Sequence, residues 1–290
     1  MAEPVVMFGI GATKAGTSWL HRYLSAHPEC YLRSIKELHF FDTIEGMSRN
    51  WVLKEFDEKS RQLEQRILAG RAPADGRAEA RLTEIRLYAR ILRKEDEEAY
   101  LAFLTEGVAE ERLVGDITPA YSLLPAEWLA RMAALSPRTR FVYIMRDPVD
   151  RLWSHVRMIA RRRARKLDEV PRRAERILER ALAGGEAHIT ERGDYRAVLE
   201  KLAQAVAAER VHLCTYEELF SDAGIGALCR FLGITPIRGD YGRRVHEGIR
   251  LPLAEETRRR MAEFLRPQYD YVAQRLGQVP PAWAANYAGA

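Results

Sequence analysis

The chain has 290 residues, 47% of them hydrophobic, which is enough apolar material for the core of one large α/β domain or two small ones. Its net charge is only +5, and no aromatic-interleaved basic stripe accompanies its many arginines, which argues against a general nucleic-acid-binding protein. The three cysteines, Cys30, Cys214 and Cys229, are widely spaced, so neither a disulfide framework nor a zinc site is expected.

The amino terminus has no basic segment followed by a long apolar one, and no apolar run approaches the roughly 18 residues of a transmembrane helix. The sequence therefore predicts neither a secretion signal nor a membrane span. The expected location is the cytoplasm.

Short apolar runs rich in β-branched and aromatic residues alternate with longer helical patterns. The runs are typical of buried parallel strands and cover 5–10, 29–34, 112–116, 140–145 and 210–216. The helical patterns cover 17–26, 126–135, 148 to about 165, 195–208, 223–232 and 254–276. This alternation predicts a single α/β domain, spanning 1–290, with a central and mostly parallel sheet flanked by helices.

The segment from about 48 to 107 differs from the rest of the chain. It is dense in charge, has helix-forming composition and is interrupted by the breaker patch "GRAPADGRA" at 70–78. We expect a helical insertion lying over the sheet edge. It either helps to shape a substrate pocket or is a solvated helical hairpin, and the sequence favours neither.

The first strand runs into the loop "GIGATKAGTSW" at 9–19. A strand, a glycine-bearing loop and a helix together bind anions through backbone N–H groups and the helix N-terminus. In a nucleotide triphosphatase loop the lysine directly precedes the hydroxyl residue, whereas here Lys14 precedes Gly16. The dinucleotide fingerprint also fails, because Lys14 occupies the position of its third glycine.

A second polar element, "RDPVDRLWSH", follows the strand predicted at 140–145. Asp147 and Pro148 suit the start of a helix, which places Arg146 at the carboxyl end of a strand, where open α/β sheets bind ligands. Ser154 lies about two helical turns further on. An arginine fork and a hydroxyl together suit a terminal phosphate dianion.

These two elements resemble those of sulfotransferases that use 3′-phosphoadenosine 5′-phosphosulfate (PAPS). The order Lys-x-Gly-Thr-Ser-Trp resembles the family's 5′-phosphosulfate loop, and R-D-P-x-x-R-x-x-S resembles its 3′-phosphate element. The resemblance implies a P-loop-like three-layer fold, in which Arg146 and Ser154 bind the 3′-phosphate. It assigns the 5′-phosphate to Lys14, Ala15, Gly16, Thr17 and Ser18.

The segment "SIKELHFFD" at 34–42 resembles the "K-E-x-H-F-F-D" segment of the carbohydrate (heparan-type) branch and its bacterial relatives. In that branch the glutamate is the catalytic base, which implies this role for Glu37. A base is needed because a neutral hydroxyl is a poor nucleophile. His39 is the competing candidate, since small-molecule sulfotransferases use a histidine, but the context favours Glu37.

Further along, "VGDITPAY" at 114–121 resembles the family's "G-E-K-T-P-A-Y", with Ile117 in place of a lysine that helps to handle the sulfuryl group or the acceptor. This departure leaves Lys14 as the main cation expected at the reaction centre. Tyr216 is implied as a contact near the adenine. Arg244 and Arg250 are implied as part of a basic loop over the cofactor.

The resemblance implies an enzyme that transfers the sulfuryl group of PAPS to the hydroxyl, less readily the amine, of a small-molecule or glycan acceptor and releases adenosine 3′,5′-bisphosphate. No γ-phosphate needs bridging, so no metal is implied. The alternatives are an ATP-dependent kinase of P-loop type and a non-catalytic nucleotide-binding protein. The basic run at 157–166 either steers anions towards the cleft or, as the sequence favours, is an ordinary solvated helix face.

Overall fold

The computed structural model describes residues 3–242 and 248–289. Its centre is one five-stranded sheet in which every pairing is parallel. The strands are β1 (Val5–Gly11), β2 (Cys30–Leu32), β3 (Leu113–Ile117), β4 (Thr139–Met145) and β5 (Val211–Thr215). Their order across the sheet is β2-β3-β1-β4-β5. The predicted α/β fold with a central parallel sheet is confirmed.

All six predicted helices form, and further helices join them. In chain order the helices are α1 (Thr17–Ser25), α2 (Phe40–Ile44), α3 (Arg49–Leu68), α4 (Arg77–Lys94), α5 (Glu97–Thr105), α6 (Ala126–Ala134), α7 (Pro148–Arg163), α8 (Val170–Leu182), α9 (Ala187–Thr190), α10 (Tyr195–Ala205), α11 (Tyr216–Leu219), α12 (Asp222–Leu232), α13 (Glu255–Leu276) and α14 (Ala284–Ala288). The sequence prediction missed α8, an arginine-rich helix whose buried residues recur at helical spacing, as at Ala174, Ile177 and Leu178. Among the described residues, no helix is both long and apolar enough to cross a bilayer.

The central strands form the core because both faces of the sheet are covered. Every residue of β1 and β3 is buried, which explains why these strands are apolar runs without alternation. Phe8 of β1 packs edge-on against Phe41 at 5.7 Å between ring centroids and at the same distance against Phe141 of β4. Burying one such ring contributes roughly 1.5–3 kcal/mol.

The segment 48–107 is helical, and the breaker patch falls between α3 and α4. Its three helices are charged outside and apolar where they meet the rest of the chain, with Val52, Phe56, Tyr88 and Tyr100 buried. Tyr100 stacks on Phe40 at 4.2 Å between ring centroids. The insertion thus packs on the segment that carries Glu37.

Parallel pairing brings the carboxyl ends of all strands to one edge of the sheet. The residues directly after β1, β3, β4 and β5 are Ala12, Thr118, Arg146 and Tyr216. Open α/β sheets bind ligands at this edge, where loops and helix N-termini meet. The candidate site therefore lies here.

Candidate active site

The loop after β1 is fixed by backbone hydrogen bonds. Ala12 N–H donates to Ile144 O of β4 at 2.7 Å, and Ala15 N–H donates to Ala12 O at 3.1 Å. Gly16, the residue before α1, has a φ of 94°, a conformation that a side chain disfavours. The N–H groups of the first helical turn, which include those of Thr17 and Ser18, have no preceding helical carbonyl to bind. Of the predicted phosphate-binding residues, Ala15 is thus the one whose N–H is used inside the loop.

Lys14 lies in this loop in a left-handed conformation, with a φ of 73°. Burial lowers the pKa of Lys14 from its ordinary value, and four neighbouring cations lower it further. In decreasing order of effect these cations are Arg146, Arg162, Arg157 and Lys36. Five cations, Lys14 included, therefore lie close together here, and a bound anion would offset their mutual repulsion.

Arg146 meets this loop from the end of β4. Its Nη1 donates to Lys14 O at 3.3 Å, and its guanidinium lies 4.7 Å from the ring centroid of Tyr216. The hydroxyl of Tyr195 holds the Arg146 backbone, accepting from its N–H at 3.1 Å and donating to its carbonyl at 2.5 Å. A Cβ on Gly16 would lie 3.0 Å from the Tyr216 ring. The loop, Arg146 and Tyr216 are therefore in one place.

The helix α7 begins as predicted, with Pro148 in its first turn and Asp147 as its cap. Asp147 Oδ1 accepts from Asp150 N–H at 3.0 Å. Arg151, the second arginine of the motif, is buried and donates to Ile189 O at 3.2 Å, so its role is to hold the core. It lies so close to Gly193 that a Cβ there would be 2.3 Å from the guanidinium.

Ser154 and Arg157 lie three residues apart on α7 and so share one of its faces. Arg157 Nη1 donates to Ile249 O at 2.9 Å, and Trp153 Nε1 donates to Leu251 O at 3.1 Å. These two bonds hold residues 249–251, which include Arg250, against α7 next to Ser154. Arg244, the other predicted arginine of this loop, lies outside the described residues.

The basic run at 157–166 is divided in the structure. Arg157 and Arg162 lower the pKa of Lys14 and so lie near the loop, whereas Arg163 pairs with Glu186 at 3.0 Å. Part of the run thus belongs to the site. Its helical spacing from Ser154 is a sequence signal that would have identified Arg157.

Buried polar atoms without a partner gather at the same place. Within residues 3–242 and 248–289, Thr13 Oγ1, Arg146 Nε and Arg157 Nε are buried and have no hydrogen-bond partner. Leaving such groups unsatisfied is costly, so they are normally paired with protein, water or ligand. Two guanidinium N–H groups and one hydroxyl fit the oxygens of a phosphate.

Glu37 and His39 share a strained segment across from this cation cluster. Among the described residues, four other than glycine have a positive φ, and three of these belong to the candidate site: Lys14 (73°), Glu37 (63°) and His39 (57°). Backbone strain of this kind costs about 1–3 kcal/mol per residue and gathers at functional sites. The arrangement therefore points to function at this edge of the sheet.

The charges around Glu37 are paired with each other. Lys36 Nζ contacts Glu37 Oε1, His39 Nε2 lies 3.7 Å from Glu37 Oε2, and His39 Nδ1 lies 2.8 Å from Asp42 Oδ2. Burial lowers the pKa of His39, but Asp42 and Glu37 outweigh it and raise that pKa to about 9. His39 is thus an imidazolium at neutral pH and has no free nitrogen lone pair to accept a proton.

Glu37 is ionised for the converse reason. Burial raises its pKa, but the neighbouring His39 and Lys36 together lower it to about 2. Its side chain is 40% exposed and so is accessible from the cleft. Of the two competing candidates, Glu37 is the group in the deprotonated form that a base requires.

A buried carboxylate supports this segment from below. Asp116, at 2% exposure, accepts hydrogen bonds from Tyr121 at 2.6 Å, Thr118 at 2.7 Å and Tyr100 at 2.8 Å. Leu38 N–H donates to the same carboxylate at 3.4 Å. Thr118 and Tyr121 are therefore supports beneath the segment. Sequence reasoning missed this role of Asp116, because its partners come from three separate parts of the chain.

The insertion also contacts this segment. Tyr88 donates to Leu38 O at 2.8 Å, Ser48 donates to Asp42 Oδ2 at 2.7 Å, and the Trp51 ring lies edge-on to His39 at 5.6 Å. Trp51 is 57% exposed. The insertion therefore contacts the segment that carries Glu37 and His39.

A further cation, Arg192, reaches the site from the turn before α10. Burial lowers its pKa, while the carboxylates of Asp42 and Glu37 are close enough to raise it. No sequence signal connected it to the site. Within the part of the chain that the structure describes, no group of three or more His, Cys, Asp or Glu side chains is placed to hold a metal ion.

These features define the class: a three-layer α/β protein with a glycine-bearing loop after its first strand and a candidate base near that loop. A profile described as the sulfotransferase family matches residues 4–237. The chain therefore belongs to the sulfotransferase family. The family and the fold together indicate a transferase. Among curated proteins, none matches the chain.

Solved structures agree on the fold. A sulfotransferase from Alicyclobacillus acidocaldarius aligns with a TM-score of 0.65 at 22% identity, covering 98% of this chain and all of that one. The sulfotransferase domain of the Synechococcus PCC 7002 olefin synthase gives 0.51 at 17% identity, with 90% and 94% covered. The sulfotransferase domain of the curacin biosynthetic pathway gives 0.50 at 18%, with 97% and 99% covered.

Proposed function

We propose that the protein transfers the sulfuryl group of PAPS to an acceptor hydroxyl. The observation that carries this proposal is the meeting of the two polar elements: Arg146 Nη1 donates to Lys14 O at 3.3 Å, in a cluster of cations that also includes Arg157 and Arg162. A nucleotide with phosphates at both ends of its ribose would neutralise that cluster. Membership of the sulfotransferase family supports the same ligand.

In this proposal the two elements hold the two ends of the nucleotide. The N–H groups of Gly16, Thr17 and Ser18 bind the 5′-phosphate at the start of α1. Arg146 and Ser154 bind the 3′-phosphate, and Arg157 joins them because its Nε is buried without a partner in the described structure. Tyr216, Arg244 and Arg250 are proposed around the adenine and the 3′-phosphate, while Ala15 shapes the loop.

When bound, PAPS supplies a sulfuryl group whose sulfur forms a bond to the acceptor oxygen as the bond to the bridging oxygen breaks, leaving that electron pair on the 5′-phosphate. Lys14 is proposed to neutralise the charge that builds on the bridging oxygen, where a preorganised cation lowers the barrier. Glu37 is proposed to take the proton of the acceptor hydroxyl. His39, an imidazolium held by Asp42, keeps Glu37 in place.

The acceptor is proposed to be a small molecule or a glycan, with a hydroxyl preferred to an amine because an amine is mostly protonated at neutral pH. The insertion is proposed to form part of its pocket, through the exposed ring of Trp51 beside His39.

Competition binding tests the proposal. Adenosine 3′,5′-bisphosphate should displace a fluorescent adenine nucleotide at concentrations far below those of ATP, and magnesium should not change the order. Transfer of radiolabelled sulfate from PAPS to a panel of phenols, sugars and alcohols then tests activity. Tighter binding of ATP would support a kinase, and bisphosphate binding without any transfer would support a non-catalytic binding protein.

A further inference from the structure

Lys36 is a cation for which the proposed mechanism has no role. Its Nζ contacts Glu37 Oε1, and its side chain is only 23% exposed. An ammonium that has lost most of its water needs an anionic partner nearby. In the described structure Glu37 is the acidic side chain paired with it.

Lys36 also lies near the loop that carries Lys14, where the donor is proposed to bind. His21 lies on α1, the helix that follows the loop carrying Lys14. Burial, followed by the charge of Lys36, lowers the pKa of His21 to about 4. The same charge acts on Lys14. Lys36 is therefore near both the loop cation Lys14 and the candidate base Glu37.

The neighbouring strand end supplies no competing cation. Ile117, the last residue of β3, is apolar and 1% exposed, and it packs against β1 where a Cβ on Gly9 would lie 2.9 Å from its side chain. The gap between Lys14 and Glu37 is the place where the proposed transfer would occur. Lys36, whose Nζ contacts Glu37 Oε1, borders this gap on the side of the candidate base.

We propose that Lys36 binds the sulfuryl oxygens of the donor and leaves Glu37 when it does so, an inference that rests on the proposed function. Without donor, the ammonium neutralises the Glu37 carboxylate. With donor, the sulfuryl oxygens next to Lys14 take over the ammonium. Lys36 thereby serves as a sulfuryl-binding residue in one state and as a counter-ion of the base in the other.

Release of Lys36 changes the base. Glu37 then faces His39 and Arg192, with Asp42 on the far side of His39, and has lost one of the two contacts that hold down its pKa. Its affinity for a proton rises as a result. The base thus becomes effective only when the donor is in place.

The test compares two ligands that differ only in the sulfuryl group. PAPS and adenosine 3′,5′-bisphosphate are titrated calorimetrically into the wild type, Lys36→Met, Lys36→Arg and the control Lys54→Met, which removes an exposed lysine of α3. In Lys36→Met the PAPS affinity should fall roughly tenfold, the size of one charge-assisted hydrogen bond, while the bisphosphate affinity stays within about twofold. Lys36→Arg should restore much of the difference, and Lys54→Met should change neither affinity.

The outcomes separate this inference from the proposed function. If the wild type binds neither ligand, the proposed function is wrong and the inference is overturned with it. If the wild type binds both, and Lys36→Met weakens both equally or neither, only the role of Lys36 is overturned. Melting temperatures of the variants show that each is folded, and a folded Lys36→Met with an unchanged ratio of affinities is sufficient to reject the proposal.

Discussion

The two sides of the cleft differ in how their charged side chains are paired. On the donor side, Lys14, Arg146 and Arg157 lie close together, and within the described residues three buried polar atoms there have no hydrogen-bond partner: Thr13 Oγ1, Arg146 Nε and Arg157 Nε. On the acceptor side, Lys36, Glu37, His39 and Asp42 form a closed chain of opposite charges. The charges on the donor side suit the proposed binding of an anion, whereas those on the acceptor side pair with one another.

We infer from this difference that the two sides have different roles. Cations that lie close together repel one another until an anion binds. Their arrangement therefore favours tight binding of the proposed donor, ahead of the acceptor. The four charges of this chain sum to zero, so they do not require a charged acceptor. This suits a neutral hydroxyl. The predictions below test whether each side does what its charges indicate.

The largest effect is expected for Lys14→Ala. The rate of sulfate transfer should fall by about two to four powers of ten, in line with the loss of one preorganised charge, while the melting temperature is nearly unchanged. The measurement is single-turnover transfer of radiolabelled sulfate to an acceptor found in the panel, with Lys54→Ala as the matched control. Turnover similar to that of the wild type would refute the role of Lys14.

Glu37→Gln should lower the transfer rate by about 10²–10⁴-fold, because the variant keeps the shape but cannot accept a proton. The affinity for adenosine 3′,5′-bisphosphate should change little, since Glu37 belongs to the acceptor side. Because the pKa of Glu37 is held at about 2, the wild-type kcat/KM should show no acid limb between neutral pH and about pH 5 from this residue.

The control for that experiment is Glu175→Gln, which changes an exposed glutamate of α8. A Glu37→Gln variant with normal transfer would make Glu37 a structural residue and return the search for the base to the cleft.

Arg157→Met should weaken binding of adenosine 3′,5′-bisphosphate by roughly tenfold, as expected for the loss of one charge-assisted hydrogen bond. Calorimetry on this variant is compared with Arg172→Met, which removes an exposed arginine of α8. Raising the salt concentration should narrow the difference, because the interaction is electrostatic. Equal affinities for the two variants would show that Arg157 only anchors the stretch at Ile249.

The smallest effect concerns stability. The folded-state pKa of His39 is raised to about 9, so its contribution to the free energy of unfolding is fully present below the unfolded value of 6.5 and is lost as the pH rises through about 9. Urea titrations should therefore give a wild type that is more stable than His39→Gln by on the order of 2 kcal/mol at pH 6, with the gap closing by pH 10. Asp42→Asn should remove the same pH dependence, and a gap that is independent of pH would contradict the ion-pair account.

The donor side was predictable because each of its parts is local in sequence. Strand, loop and helix follow one another around Lys14, and Arg146 to Ser154 span a strand end and two helical turns, so spacing alone placed their backbones. The acceptor side was less predictable. Asp116 is buried beneath partners from α5 and the turn after β3, and Arg192 reaches Glu37 from another turn, because tertiary packing and not local pattern decides these contacts.

The sequence did not predict helix α8 for a related reason. Its many arginines mask the helical spacing of the buried residues Ala174, Ile177 and Leu178. The closeness of Lys36 to Lys14 depends on tertiary packing and not on any local sequence pattern. The motifs and the family resemblance thus located the candidate reacting groups, and the fold related them to one another.

The most direct test of the central claim is a crystal structure of the protein with adenosine 3′,5′-bisphosphate bound. The account predicts one nucleotide that spans the site, with its 5′-phosphate on the N–H groups of Gly16, Thr17 and Ser18 and its 3′-phosphate on Arg146 and Ser154. A nucleotide that touches only one of these two elements, or that binds elsewhere on the molecule, would contradict it.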